Sequence, residues 1–400
     1  NLVTHTRASS ATYVDGDGNI QTAADNVPRF DHDPVTGESL GLLVENARTN
    51  LVNYSVANIG NGWINSTGQT PVNLSLNKLG VFSGVRAISN GQTWHGIRLD
   101  NTTPSTLPQL VAGSTYTITN WWMVGDVNPS NTFRSTIKLN GISQTCAVEK
   151  TSSSSDPLDV NSYTITNVAT HGTISNVQVE DAGSDVIKLS YKFIPVNAGA
   201  HLHTIAPRSF TPGESVIALG TQVEEGVNPS SYIPTSGSTV TRTSDNVSIT
   251  GTNFSSWYNT TDQKGTIYCE GIVRAFSNGH QIYYSINDGS TTNEIRLFKN
   301  KLSDKEQFKI QTSGTVQLTQ SFDDLSYGQN KKIALAFELD NSINALDGTA
   351  NNVDTDVDIP VVDQVDFGFG PTIGSPFMTI KRFIYWPVRV GNDTVTRLTE

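Results

Sequence analysis

Short runs of alternating apolar and polar residues dominate this chain, broken about every ten residues by clusters of Gly, Asn, Asp and Pro. The run Thr115–Met123 is representative. It sets Tyr116, Ile118, Asn120 and Trp122 on one face and Thr117, Thr119, Trp121 and Met123 on the other, the period of a strand. Val186–Phe193, Gln281–Ile286 and Lys332–Leu339 alternate in the same way. The run Glu294–Phe298 follows Gln281–Ile286 across the polar stretch Asn287–Asn293, which reads as a hairpin with a long loop. Patterns with the 3.6-residue period of a helix are nearly absent. The pattern predicts an all-β protein of two antiparallel β-sandwiches.

Three segments follow from the breaks in the pattern. Residues 1–50 hold a short hairpin around Asp15–Gly18 and then an extended stretch through Pro28 and Pro34. This N-terminal arm is too polar to bury a core alone, so it is expected to dock on a neighbouring domain or subunit. Residues 51–235 form the first sandwich and residues 236–400 the second. Pro234, Ser236, Gly237 and Ser238 interrupt the strand pattern between them. The Ser/Thr/Asp tract Thr151–Asn161 reads as an exposed loop.

Composition narrows the function classes. Of the 400 residues, 36% are hydrophobic and 16% charged, which excludes a disordered polyelectrolyte. The formal net charge of −11 argues against nucleic acid or an anionic membrane as the main partner, since both demand clustered Lys and Arg. No run of eighteen apolar residues is present, so no membrane insertion is expected. Cys146 and Cys269 are expected to be free thiols in separate domains. The chain starts at Asn1 without Met, which reads as a processed form or the C-terminal part of a longer protein.

No chemistry stands out. Gly-x-Ser-x-Gly and His-Glu-x-x-His are absent, so no catalytic residue is assigned and a non-enzymatic protein is expected. His201 and His203 would face the same way on a strand, as a surface or subunit-contact pair, because no third or fourth metal ligand is in view. Asp354, Asp356 and Asp358 alternate and share one face of an extended segment. They read first as the charges that protect an edge strand and second as Ca²⁺ ligands; no other metal or cofactor is expected. Asp15-Gly-Asp-Gly-Asn19 starts like a Ca²⁺ loop but lacks its Gly and Glu, and reads as a turn. Aromatic side chains are the better candidates, since a sugar's apolar face stacks on them. With Ile97 and Leu99 facing the core, Trp94 and Arg98 point outward, and by the same phase Trp122 is core and Trp121 outward. In the second sandwich Tyr283, Arg296 and Phe298 fall opposite the apolar phase and would line a glycan groove or a subunit contact.

Three regions add a resemblance. The leader segments Arg7–Asp15, Val27–Gly37 and Gly41–Leu51 resemble the recurrent leader of tailed-bacteriophage tail-fibre and tail-spike proteins. The block Gly220–Gly226 followed by Ser230–Asp245 resembles the closing strand and exit linker of phage modules similar to carbohydrate-binding jelly rolls. The segment Thr266–Arg389 resembles concanavalin A-like and laminin-G-like sandwiches. The resemblance implies a structural virion protein of the tail, an adhesin on the particle surface that binds host cell-surface polysaccharide without cleaving it. It also implies a homotrimer in contact with other virion proteins. Two alternatives stand beside it: an architectural component such as a head decoration or tail connector, and a polysaccharide depolymerase spike. The parallel β-helix repeat that carries hydrolysis in many spikes is not seen in this sequence, so depolymerase activity does not carry over.

Overall fold

The alternating runs pair into four large antiparallel sheets and two two-stranded ribbons. The structure is a computed structural model that describes residues 2–400 apart from 67–68, 93–95, 276–277, 324–325, 372–373 and 375. Among the described residues the α-helices are short, at Gly251–Trp257 and Asn392–Leu398, and no helix is long and apolar enough to cross a membrane. The all-β, antiparallel-sandwich architecture is the one the alternation predicts.

The N-terminal sandwich stacks two sheets. Sheet I runs Tyr163–Thr166, Cys146–Lys150, Phe133–Leu139, Gly199–Ala206, Ile97–Leu99, Trp63–Asn65. Sheet II runs Gly172–Asp181, Ile187–Pro195, Tyr116–Val124, Ser215–Glu225, Phe82–Ile88, Val72–Lys78. Their facing sides bury Trp63, Ile97, Leu99, Ile118, Trp122, Phe133, Ile137, Tyr191 and Ile205 in one core. Trp122 stacks on Phe133 with ring centroids 4.3 Å apart.

The C-terminal sandwich is built the same way. Sheet III runs Thr4–Thr6, Asn246–Thr250, Gln364–Gly368, Gln281–Asn287, Glu294–Lys299, Glu306–Thr312, Thr315–Phe322. Sheet IV runs Thr349–Ala350, Asn341–Leu346, Asn330–Glu338, Gly265–Val273, Phe377–Trp386, Ser39–Glu45, Phe30–His32. The predicted hairpin is present, with Gln281–Asn287 paired to Glu294–Lys299. Helix Asn392–Leu398 covers part of the outer side of sheet IV, placing Val395 against Tyr268, Ala334, Ala336 and Ile343.

The first fifty residues are not a free-standing arm. Thr4–Thr6 forms the edge of sheet III beside Asn246–Thr250, and Ser39–Glu45 pairs with Phe377–Trp386 in sheet IV. Leu43 and Val44 are thereby buried, and Gly41 (φ 94°) sits where a Cβ would strike the backbone of Ile380. These apolar residues find their cover on a neighbouring domain of the same chain, by extending the sheets of the second sandwich. The hairpin of Ala11–Val14 and Ile20–Ala23 then lies on the outer side of sheet II. There Ile20 joins Leu79, Phe82, Trp121, Ile217, Leu219 and Tyr232 in a third cluster.

The leader and the exit block meet in a buried charge network. Arg29 lies between Glu45 (Nη1–Oε2 2.7 Å) and Asp245, and Arg7 reaches Asp245 at 3.0 Å. Glu45 also accepts from Ser231 N–H (2.8 Å) and Oγ (2.7 Å) and lies 3.6 Å from Arg242. Burial alone would raise the Glu45 carboxyl, but Arg242, Arg29 and the Ser231 bonds hold it down at about 2.

Candidate functional site

The fold leaves the outer faces of the four sheets in different states, and this decides where a ligand fits. The outer face of sheet II is covered. Trp121 does point away from the sandwich core, as the alternation requires, yet it is only 3% exposed. Phe82 and Tyr232 pack on it with centroids 5.4 and 5.1 Å away. The expectation of an open stacking platform is corrected: the N-terminal hairpin and the exit block, both distant in sequence, close over it. A cavity of about 410 Å³ remains beside this cluster, at the seam between hairpin and sandwiches. Of its charged lining, Arg274 pairs with Asp31 and Lys188 with Glu180 (2.9 Å), while Asp33 and Asp181 accept from the backbone N–H groups of Val35, Thr36 and Gly183.

Of the second-sandwich candidates, Arg296 lies on the outer face of sheet III and Tyr283 in the core beneath it, and both are closed off. Tyr283 is buried and donates from its hydroxyl to Glu306 at 3.2 Å. A register shift between Ile282 and Tyr284 breaks the simple alternation there, which is why strand phase misplaced it. Arg296 is 5% exposed, bonded to Glu294 at 3.2 Å and lying over the Phe298 ring at 4.3 Å. Lys309 shares Glu294 at 3.1 Å, and Asn287 and Gln364 both donate to Asp366. Arg296 and Lys309 are both paired to Glu294, and Tyr283 and Arg296 are buried, so neither offers an open ligand contact.

The outer face of sheet I is different. Arg98 lies opposite Thr204, and Thr204 opposite Thr136, so one row crosses three strands. Lys138 stands one step along the same face, opposite Leu202. Its ammonium is pulled below the ordinary lysine value, first by burial and then by the charge of Arg98. Among the described residues neither Arg98 nor Lys138 has an ion pair, and Arg98 Nε is buried without a hydrogen-bond partner. The hydroxyls of Thr136 and Thr204 also make no hydrogen bond inside the protein among the described residues. At the far end of the face Arg134 and Arg208 both bond Glu149 Oε1, at 2.9 and 2.8 Å. Arg208 lies 5.5 Å from the ring centre of Phe210, which is 73% exposed. Phe210 thus holds a large apolar ring open to solvent two residues beyond Arg208.

Of the outward-facing calls, Arg98 is therefore placed as expected. Trp94 lies outside the described residues. Thr136, Lys138 and Thr204 were not legible as a group with Arg98, because strand order alone brings them together. For Phe210 the signal that was available is its place in Arg208-Ser-Phe-Thr-Pro-Gly213, an aromatic in a Pro-Gly turn where burial is not expected.

The remaining candidates are structural. His201 and His203 face the core rather than the surface, since His203 pairs with Ile137 across the sheet. His203 Nε2 is 2.7 Å from Asn120 Oδ1, and burial pushes its imidazole down to about 4. Asp354–Asp358 is a loop with one isolated bridge rather than a regular strand, and Val357 anchors it in the core. Among the described residues no group of three or more His, Cys, Asp or Glu converges to hold a metal ion. Asp15 caps its turn, accepting from the N–H of Asp17 (3.0 Å) and Asn19 (2.9 Å). Cys146 and Cys269 are free and buried, one in each sandwich.

No protein-family model matches the chain, and no curated protein matches it. Solved structures are similar to part of it. The CBM40 module of a Ruminococcus gnavus intramolecular trans-sialidase is 16% identical over 35% of this chain and 85% of that one, with a TM-score of 0.30. A SAP-like pentraxin from Limulus polyphemus is 11% identical over 33% and 68%, at 0.26. Chicken galectin 2 is 14% identical over 32% and 95%, at 0.23. These likenesses are too remote to bear on function, and the sandwich architecture is read from this chain's own sheets.

Proposed function

We propose that this chain is a non-catalytic adhesin of a bacteriophage tail, exposed on the particle, that binds host cell-surface polysaccharide on the outer face of sheet I. The observation that carries the binding site is the contrast between the sheet faces. Sheet II is covered and the sheet III candidates are buried, whereas sheet I presents the side chains of Arg98, Lys138, Thr136 and Thr204, which have no partner among the described residues, and the segment leaving its strand Gly199–Ala206 carries the exposed Phe210. The tail assignment rests on the leader and exit blocks. Homotrimerisation and contact with other virion proteins belong to the same reading, and several weak sites on one particle would bind through avidity.

The test is a glycan-array and host-envelope binding screen with the wild-type protein and Phe210→Ala. Truncating a real aromatic hot spot costs about 1–3 kcal/mol of binding, so the variant should lose roughly ten- to a hundredfold in affinity with its melting temperature unchanged. Binding that survives Phe210→Ala intact would move the site elsewhere. Incubation of host polysaccharide with the protein should leave its size distribution unchanged. Shortened chains would establish a depolymerase instead, and failure to bind any envelope or glycan would favour a purely architectural component.

A further inference from the structure

We infer that the ligand taken by the outer face of sheet I is an acidic saccharide, whose anionic group sits between Arg98 and Lys138. The inference rests on the glycan reading above and adds the charge of the sugar. It starts from an exception. Among the described residues, every other arginine that is buried or half-buried lies within 4 Å of a carboxylate. Arg7 has Asp245, Arg29 and Arg242 have Glu45, and Arg48 has Glu224. Arg86 has Asp126, Arg134 and Arg208 share Glu149, and Arg274 has Asp31. Arg296 has Glu294 and Arg389 has Glu338. Arg98 has none.

A chain with 37 acidic residues and a net charge of −11 does not lack carboxylates to place there. Instead its half-buried neighbour is a second cation, Lys138, close enough for the two charges to repel. Along the strands of this face and the segment leaving them stand four cations (Arg98, Arg134, Lys138, Arg208) against one carboxylate (Glu149), a surplus of three positive charges. Asp100, two residues beyond Arg98, caps Thr102 N–H at 2.9 Å.

Two like charges held together on a partly desolvated face cost free energy unless an anion joins them. Sugar hydroxyls accept hydrogen bonds but do not neutralise charge. A carboxylate or sulfate does both, and a guanidinium meets it with two parallel N–H donors. Thr136 and Thr204 lie in the row of Arg98, where their hydroxyls reach ring hydroxyls of the same sugar.

The experiment is titration calorimetry at fixed low salt with three probes: tetragalacturonate, a heparin tetrasaccharide and neutral maltotetraose. Both acidic probes or one of them should bind, more tightly than maltotetraose and more weakly as salt rises; which one binds separates carboxylate from sulfate recognition. Arg98→Gln and Lys138→Gln should each weaken the acidic probe about tenfold or more. Neither variant should lower the melting temperature, since each relieves a repulsion, so lost binding is not lost fold. Acidic-probe binding unchanged in both variants overturns the inference, as does poly-glutamate competing as well as the saccharide. Maltotetraose binding as tightly as the acidic probes, and lost in Phe210→Ala alone, overturns the charge assignment while the glycan reading stands. No binding of any saccharide overturns both.

Discussion

Glu45→Gln is the sharpest test of how the chain is held together. Glu45 sits on the strand that ties the N-terminal segment into sheet IV, and it receives Arg29, Arg242 and both donors of Ser231 at the exit of the first sandwich. Glutamine keeps the size and part of the hydrogen bonding but removes the charge, leaving the buried Arg29, Arg242 and Arg7 with Asp245 as their only close carboxylate in this network. A carboxyl held at about 2 instead of 4.5 contributes on the order of 3 kcal/mol at neutral pH. Removing one partner of a buried ion pair independently costs about 3–5 kcal/mol. The sign follows from the lowered value: the contribution is complete above about pH 4.5 and disappears as pH falls toward 2. Urea unfolding followed by tryptophan fluorescence, at pH 7 and at steps down to pH 3, should show the variant less stable by about 3 kcal/mol at pH 7. Its stability should also fall less steeply than the wild type's below pH 4.5. Equal stability at pH 7, or an identical acid slope, would refute the assignment of Glu45 as the charge that joins the two sandwiches.

Three further outcomes are expected. Trp121→Ala should lower stability by about 3–5 kcal/mol, because it empties a site packed by Phe82 and Tyr232; glycan affinity of the folded fraction should not change, and selective loss of affinity without loss of stability would return Trp121 to the binding site. His203 is held neutral with its value lowered to about 4, so it favours the folded state above about pH 6.5, and that contribution fades as pH drops from 6.5 to 4. Denaturation midpoints of wild type and His203→Gln across that window should converge as pH falls, and parallel curves would refute it. Deleting residues 1–45 strips edge strands from sheets III and IV and should give insoluble or early-melting protein; a soluble truncation melting like the full chain would show that those strands are dispensable.

What the sequence determined by itself was local. The period of two fixes which side of a strand each residue takes, so the all-β class, the hairpin across Asn287–Asn293, the core position of Trp122 and the outward phase of Trp121 and Arg98 were all legible. Strand phase is a property of neighbouring residues and needs no knowledge of the rest of the chain. Whether an outward side chain meets water was decided only by tertiary structure. Trp121 is covered by Phe82 and by Ile20 and Tyr232, the last two more than 100 positions away in sequence, and Arg296 pairs with Glu294, which Lys309 of the next strand shares. Sheet order likewise brought Thr136, Lys138 and Thr204 beside Arg98 and carried the N-terminal segment into sheets III and IV, because long-range pairing follows which edges and apolar faces remain uncovered once the whole chain has folded.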